Sequence, residues 1–310
     1  MAVLTRRLKN FSKAVLHGFF AHGQRLGIDI LPRHFYSEIP VVHELRRTDH
    51  WRAPYSLAGV NGLDIAPQVD FLDGCCPEEL CRYLSRENIH SRACALNGES
   101  GFGEIEADVL FAFVATKKPR QIFQIGCGVS TAVCLMAAAH AGYRPQVICV
   151  DPYPTKYLVA QHELGNVSLV RRKAQAVPLD SIERLGDDLL FFVDSSHTLG
   201  PAGECSRIVL EMLPRLKPRA WVHFHDVFFP YDYPRDVLTT LFFTHESVLL
   251  HAFLAYNSRF RLAASLSMLH YQGREHLAAR FPRYRPAADE HGLARSNGHF
   301  PSSLYLNVVA

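Results

Sequence analysis

The sequence predicts an α/β fold: a doubly wound, mostly parallel seven-stranded sheet with helices on both faces, behind a helical and irregular N-terminal extension. Three observations predict it. Gln121-Ile-Phe-Gln-Ile125 is a short β-type run that meets a two-glycine turn, Gly126 and Gly128, and passes straight into an Ala-rich helix. At the spacing of a β-α-β unit, Val147-Ile-Cys-Val-Asp151 is a second apolar strand ending in one carboxylate. Leu189-Leu-Phe-Phe-Val-Asp194 and Ala220-Trp-Val-His-Phe-His-Asp226 repeat that form further on, and open α/β sheets place their chemistry at such carboxyl ends.

Taken in order, residues 1–25 read as an amphipathic helix, with Leu4, Leu8, Phe11, Val15, Phe19 and Phe20 near helical spacing. Arg6, Arg7, Lys9, Lys13 and Arg25 all precede the first acid, Asp29. That pattern suits a membrane-surface helix or a presequence, and suits better a stripe packed on the sheet domain or on a second copy in a homo-oligomer. Residues 26–75 carry Pro32, Pro40, Pro54 and Pro67 with little periodicity, and read as an irregular covering segment. A short helix follows from Pro77 to Ser85 and a longer one from Glu104 to Thr116. Strands are expected near 121–125, 146–151, 167–171, 189–194 and 219–225, with helices between them. One long helix runs from after Tyr233 through Tyr256. The runs 260–266 and 303–309 then close the sheet as an antiparallel pair, with a helix and a loop over 274–298. The chain thus divides into an N-terminal segment, 1–100, and a sheet domain, 101–310.

Composition bounds the function. Hydrophobic residues make up 48% of the chain and charged ones 20%, as in an ordinary globular protein. The formal charge of +3 is too slight and too evenly spread for a nucleic-acid partner. No apolar run approaches the roughly 18 residues of a membrane span. The eight cysteines form no CxxC pair and no zinc ladder; Cys127, Cys134 and Cys149 fall in core elements, which reads as reduced thiols in a cytoplasmic protein. Cys75, Cys76 and Cys81 read mainly the same way.

The glycine turn points to a nucleotide-type cofactor. Gly126 permits a turn closed to side chains, Gly128 permits close approach of a ligand, and Ser130 or Thr131 is placed to cap the helix. A dinucleotide site calls for a third glycine where this chain has Thr131. Without a pyrophosphate to cradle, a polar Ser-Thr start suits a nucleoside ligand such as S-adenosylmethionine better than NAD. Asp151 stands where ribose hydroxyls would donate.

The chain resembles the class I S-adenosylmethionine-dependent methyltransferases, and more narrowly a bacterial branch acting on sugars and other small hydroxylated molecules. The resemblance rests on 101–110 (Gly-Phe-Gly-Glu-Ile-Glu-Ala-Asp-Val-Leu), 124–131 (Gln-Ile-Gly-Cys-Gly-Val-Ser-Thr), 193–197 (Val-Asp-Ser-Ser-His), 222–230 (Val-His-Phe-His-Asp-Val-Phe-Phe-Pro) and 249–257 (Leu-Leu-His-Ala-Phe-Leu-Ala-Tyr-Asn). It covers the chain from about residue 28 to the C-terminus. It implies a Rossmann-like domain that binds S-adenosyl-L-methionine and methylates a small-molecule or glycan acceptor. It assigns Gly126, Gly128 and Ser130 to the cofactor turn, Asp151 to the ribose and Gln175 to the adenine, with Asp194 beside the cofactor. Gln124 is a departure, since the family has a carboxylate there to anchor the cofactor's amino end. Glu106 and Asp108 stand near the methionine end or on a solvated helix face.

Methyl transfer to oxygen requires an acceptor held in line with the methyl group and relieved of its proton. His197 and His225, with Asp226, are the candidates for that work. Asp194 and Asp226 end adjacent strands and, with imidazole nearby, can hold Mg²⁺ or Mn²⁺ to acidify the acceptor hydroxyl. The aromatic loop Phe228-Phe-Pro-Tyr-Asp-Tyr-Pro234 offers faces for a sugar or flat acceptor, or an anchor for the next helix. Two other readings use the same fold: an NAD(P)-dependent oxidoreductase, which the missing third glycine disfavours, and a non-catalytic binding module, for which only Gln124 speaks.

Overall fold

The computed structural model describes residues 15–31, 33–35, 37–234, 237–285 and 301–309. The chain forms two units, Met1–Thr48 and Asp49–Ala310. In the first, residues 15–25 are helical and Val42–Leu45 makes one further helical turn. The part of the expected amphipathic helix before residue 15 lies outside the described residues. Among these residues no helix is long and apolar enough to cross a membrane.

The second unit holds the sheet, and residues 49–100 belong to it. Its strands are β1 Gln121–Ile125, β2 Gln146–Val150, β3 Ser168–Val170, β4 Leu189–Val193, β5 Trp221–Phe224, β6 Phe260–Ser265 and β7 Leu304–Val308. They lie in the order β3-β2-β1-β4-β5-β7-β6. The first five are parallel, whereas β7 runs antiparallel to both β5 and β6. Each expected strand is present within two residues of its predicted bounds, including the closing antiparallel pair.

Apolar residues alternate between two cores. Ile122, Val147, Leu190, Phe192 and Tyr305 face one, and Phe123, Val150, Phe191, Val222 and Leu306 face the other. A parallel sheet covered on both faces needs strands that are apolar throughout, and these are. The longer helices are α1 Ile65–Cys75, α2 Glu78–Arg86, α3 Ile89–Asn97, α4 Glu104–Lys117, α5 Val129–His140, α6 Lys156–Glu163 and α7 Glu246–Leu254. Every residue of α4 from Ile105 to Ala115 is buried, so this helix is core rather than covering layer.

Three expectations change. Residues 26–75 are not irregular throughout, since α1 forms despite Pro67. That proline sits in the first helical turn, where its missing N–H has no partner to lose. The helix α3 escaped the reading, although Asn88 caps it by accepting from the Ser91 N–H at 2.9 Å and Gly98 ends it in the left-handed region. The long helix through Tyr256 is two pieces, Val237–Thr240 and α7. The break has a physical cause: the N–H groups of His245 and Glu246 donate to the His197 carbonyl at 2.8 and 3.3 Å, tying the start of α7 to the loop after β4. A short helix, Arg274–Arg280, stands in the expected 274–298 stretch, and 286–298 lies outside the described residues.

Phe191 is fully buried at the centre of β4, its ring stacked on that of Phe123 at 5.3 Å. Truncating such a side chain typically costs about 3–5 kcal/mol. Phe191→Ala should therefore lower the urea midpoint markedly, and an unchanged midpoint would contradict this packing.

Candidate active site

The strand order reverses between β1 and β4, which opens a crevice at the carboxyl ends of the sheet. Gly126 ends β1 at φ +77°, and a Cβ there would lie 1.9 Å from the Asp194 carbonyl oxygen. The Asp194 N–H in turn donates to the Ile125 carbonyl at 2.9 Å. The absence of a side chain at Gly126 thus lets the cofactor turn and the end of β4 touch. Gly128 follows, its N–H donating to Thr131 Oγ1 at 3.3 Å, so Thr131 closes the turn back on itself. Ser130 is buried beside it.

Asp151, just past β2, holds this turn from the side. It accepts from the Cys127 N–H at 3.1 Å through Oδ2 and from the Tyr153 N–H at 2.7 Å through Oδ1. Each oxygen keeps a further lone pair for a ligand hydroxyl. A cavity of about 150 Å³ lies against the turn, lined by Asn97, Phe102, Gly128, Ser130, Thr155 and Asp194 among others. Pockets that enclose a small ligand usually exceed about 300 Å³, so an adenosyl ligand would extend beyond it along the sheet edge toward Asp151. Gln175 sits in a helical turn after β3 and has a buried Oε1 without a hydrogen-bond partner. Gln124 stands apart. It is fully buried in β1, with Oε1 facing the Cys149 thiol at 4.0 Å and Nε2 unpartnered.

The ends of β4 and β5 carry a second group of residues. His197 Nε2 lies 3.4 Å from Asp194 Oδ1 and 3.7 Å from Asp226 Oδ2. His225 Nδ1 lies 3.4 Å from the same Asp194 oxygen and 3.6 Å from the same Asp226 oxygen. Asp194, His197 and His225 thus bring one possible ligand atom each within 4.8 Å of one another, and Asp226 lies beside both imidazoles. His197 and Asp226 reach this cluster from left-handed backbone, each at φ +56°, a conformation costly for non-glycine residues and one that clusters at functional sites.

Each imidazole is backed by a buried acid that sequence reasoning did not assign to it. His197 Nδ1 is 2.8 Å from Glu246 Oε2, and Glu246 Oε1 accepts from Ser195 Oγ at 2.8 Å. His225 Nε2 is 3.4 Å from Glu106 Oε1. That same oxygen accepts from the Ser302 N–H at 2.8 Å, while Ser302 Oγ donates to Asp226 Oδ1 at 2.8 Å. Asp108 is elsewhere, with both oxygens 2.9 Å from Arg283 Nη2.

Burial alone would lower the imidazole pKa values. The surrounding carboxylates prevail, raising His197 to about 10 through Asp194, Glu246 and Asp226, and raising His225 through Asp226, Asp194 and Glu106. Burial likewise pushes the Asp194 and Glu106 carboxyls up, but the histidines hold both below the usual carboxylate range. The cluster is an excess of buried negative charge that meets the cavity at Asp194, a setting that attracts cations.

The aromatic loop splits its roles. Phe228 and Phe229 are buried anchors. Tyr231, with Tyr55, Pro230, Asp232 and His251, lines a largely apolar cavity of about 320 Å³.

Residues 123–227 match the sequence profile of a family described as "Methyltransferase domain", about a third of the chain. An uncharacterized protein of Archaeoglobus fulgidus is 25% identical over 188 residues, which cover 57% of this chain and 80% of that one. A methyltransferase of Podospora anserina bound to S-adenosylhomocysteine is 16% identical, with 76% of this chain and 92% of that chain covered and a TM-score of 0.37. A putative O-methyltransferase of Klebsiella pneumoniae is 14% identical, with 75% and 97% covered and a TM-score of 0.41. The matched segment contains the glycine turn, Asp151, Asp194, His197, His225 and Asp226. The likeness to a methyltransferase domain thus falls on the segment that holds the glycine turn and the ends of β1, β2, β4 and β5.

The contact between Gly126 and Asp194 leaves no room for a side chain. Gly126→Ala should lower the unfolding temperature, with backbone strain alone costing about 1–3 kcal/mol. A variant as stable as the parent would show that the turn does not abut β4 as described.

Proposed function

We propose that the protein transfers the methyl group of S-adenosylmethionine to a hydroxyl of a small hydroxylated molecule or glycan. One observation carries the reading: Asp194 lines the cavity beside the glycine turn and also belongs to the imidazole–carboxylate cluster. A donor seated at the turn and an acceptor seated at the cluster would meet there. In this reading the protein works in the cytoplasm, consistent with its eight free thiols.

Gly126, Gly128 and Ser130 would border the cofactor, Asp151 would accept from its ribose hydroxyls, and Gln175 would offer its unpartnered Oε1 to the adenine amine. Bound there, the sulfonium supplies a methyl group already activated for displacement. The remaining task falls to the chain: to hold the acceptor in line and relieve it of its proton. His197 Nε2 and His225 Nδ1, both beside Asp194 and Asp226, are the proposed groups for that work. The carboxylates around them favour the protonated imidazoles, so they would serve as bases with a cation held beside them by Asp194 and Asp226, whose charge would lower their pKa. Such a cation lowers the pKa of a hydroxyl beside it. The 320 Å³ cavity by Tyr231 gives the acceptor an apolar surface of the kind sugar faces stack on.

Incubation with methyl-labelled S-adenosylmethionine and a panel of sugars, polyols and phenols should label at least one member and release S-adenosylhomocysteine. Asp151→Ala should weaken S-adenosylhomocysteine binding roughly 10- to 100-fold, the worth of hydrogen bonds to a charged group. His197→Ala and His225→Ala should retain that binding and lose roughly 100- to 10,000-fold in turnover. Normal turnover by both histidine variants would remove the cluster from the reaction.

A further inference from the structure

We infer that Cys76 and Cys81 form a dithiol site, which a low-molecular-weight disulfide of the glutathione type converts to an intramolecular disulfide. This site lies apart from the glycine turn and does not depend on the methyltransferase reading.

The sequence makes the corner that brings the pair together. Pro77 has no N–H with which to continue α1, and it disfavours helical backbone at the residue before it. Cys76 accordingly leaves the helix, at φ −120° and ψ 74°, and Pro77 stands immediately before α2. The Cys81 N–H donates to the Pro77 carbonyl at 3.0 Å, which sets Cys81 one turn into α2. Its sulfur then lies 3.0 Å from Cys76 Sγ and 3.2 Å from the Cys76 carbonyl oxygen. A disulfide bond, at about 2.0 Å, is a further approach of about 1 Å.

The two thiols differ in the way an exchanging pair requires. Cys76 is fully buried, whereas Cys81 is partly exposed and is the one a reagent from solvent meets first. The Arg280 guanidinium, held by Asp73 Oδ1 at 2.6 Å, also lies within hydrogen-bonding reach of Cys81. Thiols that exchange are typically partly exposed and have a basic neighbour of this kind. Burial and the contact with Cys81 push the Cys76 thiol up, so Cys76 is suited to the second step rather than the first. Cys75 belongs to the core instead: burial pushes its thiol up to about 12, with Lys117 as its charged neighbour.

The chemistry balances without a further reactant. The Cys81 thiolate attacks one sulfur of the reagent, forming a mixed disulfide and expelling one thiolate, which takes up the proton that Cys81 gave. Cys76 then loses its proton and attacks the Cys81 sulfur, and the second expelled thiolate takes that proton up. Two protein thiols are oxidised to one disulfide and the reagent is reduced to two thiols. In a reducing compartment such a bond is transient and reports the thiol–disulfide balance, which agrees with the free thiols of the resting protein.

The test uses the full-length reduced protein incubated with oxidised glutathione, blocked with iodoacetamide, denatured and digested with trypsin and a glutamate-specific protease. Cleavage after Glu78 or Glu79 leaves Cys76 and Cys81 on separate peptides. Mass spectrometry should find these peptides joined before reduction and apart after it, with the block on Cys75. Cys76→Ser should stop at the mixed disulfide of Cys81 with glutathione, and Cys81→Ser should leave Cys76 blocked, each with an unchanged far-UV circular dichroism spectrum. Full blocking of Cys76 and Cys81 in the parent protein after exposure to oxidised glutathione would overturn the inference. So would a bond from Cys75 to Cys81 in the Cys76→Ser variant, because nearness in sequence rather than the corner at Pro77 would then choose the partner.

Discussion

The approach of β1 to β4 at their carboxyl ends is the constraint from which the site follows. Adjacent parallel strands normally diverge into separate loops. Here the Asp194 N–H still reaches the Ile125 carbonyl, and Gly126 lies against the Asp194 carbonyl where any side chain would collide. The turn that would border a cofactor and the strand end that carries the acid cluster are therefore one piece of packed backbone. Asp151 extends that piece by binding the Cys127 N–H, so the ends of β1, β2 and β4 are fixed together.

Around this frame the chain buries charge that an ordinary core would avoid. Glu246 is fully buried and Glu106 nearly so, and each would be costly without a partner. Both find one in an imidazole, and the imidazoles are held in turn by Asp194 and Asp226. Other irregularities serve the same end. The helical run before α7 breaks so that Glu246 can reach His197, while His197 and Asp226 adopt left-handed backbone. Such departures from local preference are expected where a site, rather than stability, dictates the conformation.

Much of this was legible in the sequence. The seven strands were readable because strands buried on both faces are unbroken apolar runs, bounded here by Gly126, Asp151, Asp194 and Asp226. His197, His225, Asp194 and Asp226 could be singled out because they end such runs. Their convergence could not be read, since it depends on register between β4 and β5. Glu246 and Ser302 left only a weak signal: Glu246 opens the apolar helix Glu246-Ser-Val-Leu-Leu, where a lone acid also serves as a first-turn charge. Glu106 was ambiguous because α4 is buried on every side, leaving no solvated face to contrast with. Pro67 signals a break in the sequence, yet its position in the first turn of α1 is harmless.

The proposed function stands on the Gly126 turn and its neighbours holding an adenosyl cofactor. The most direct measurement is calorimetric titration of the purified protein with S-adenosylhomocysteine, with NAD⁺ as a parallel titrant. Saturable heat from the adenosyl ligand at a single site is expected, and none from NAD⁺. Saturable binding of NAD⁺ with silence from S-adenosylhomocysteine would contradict it.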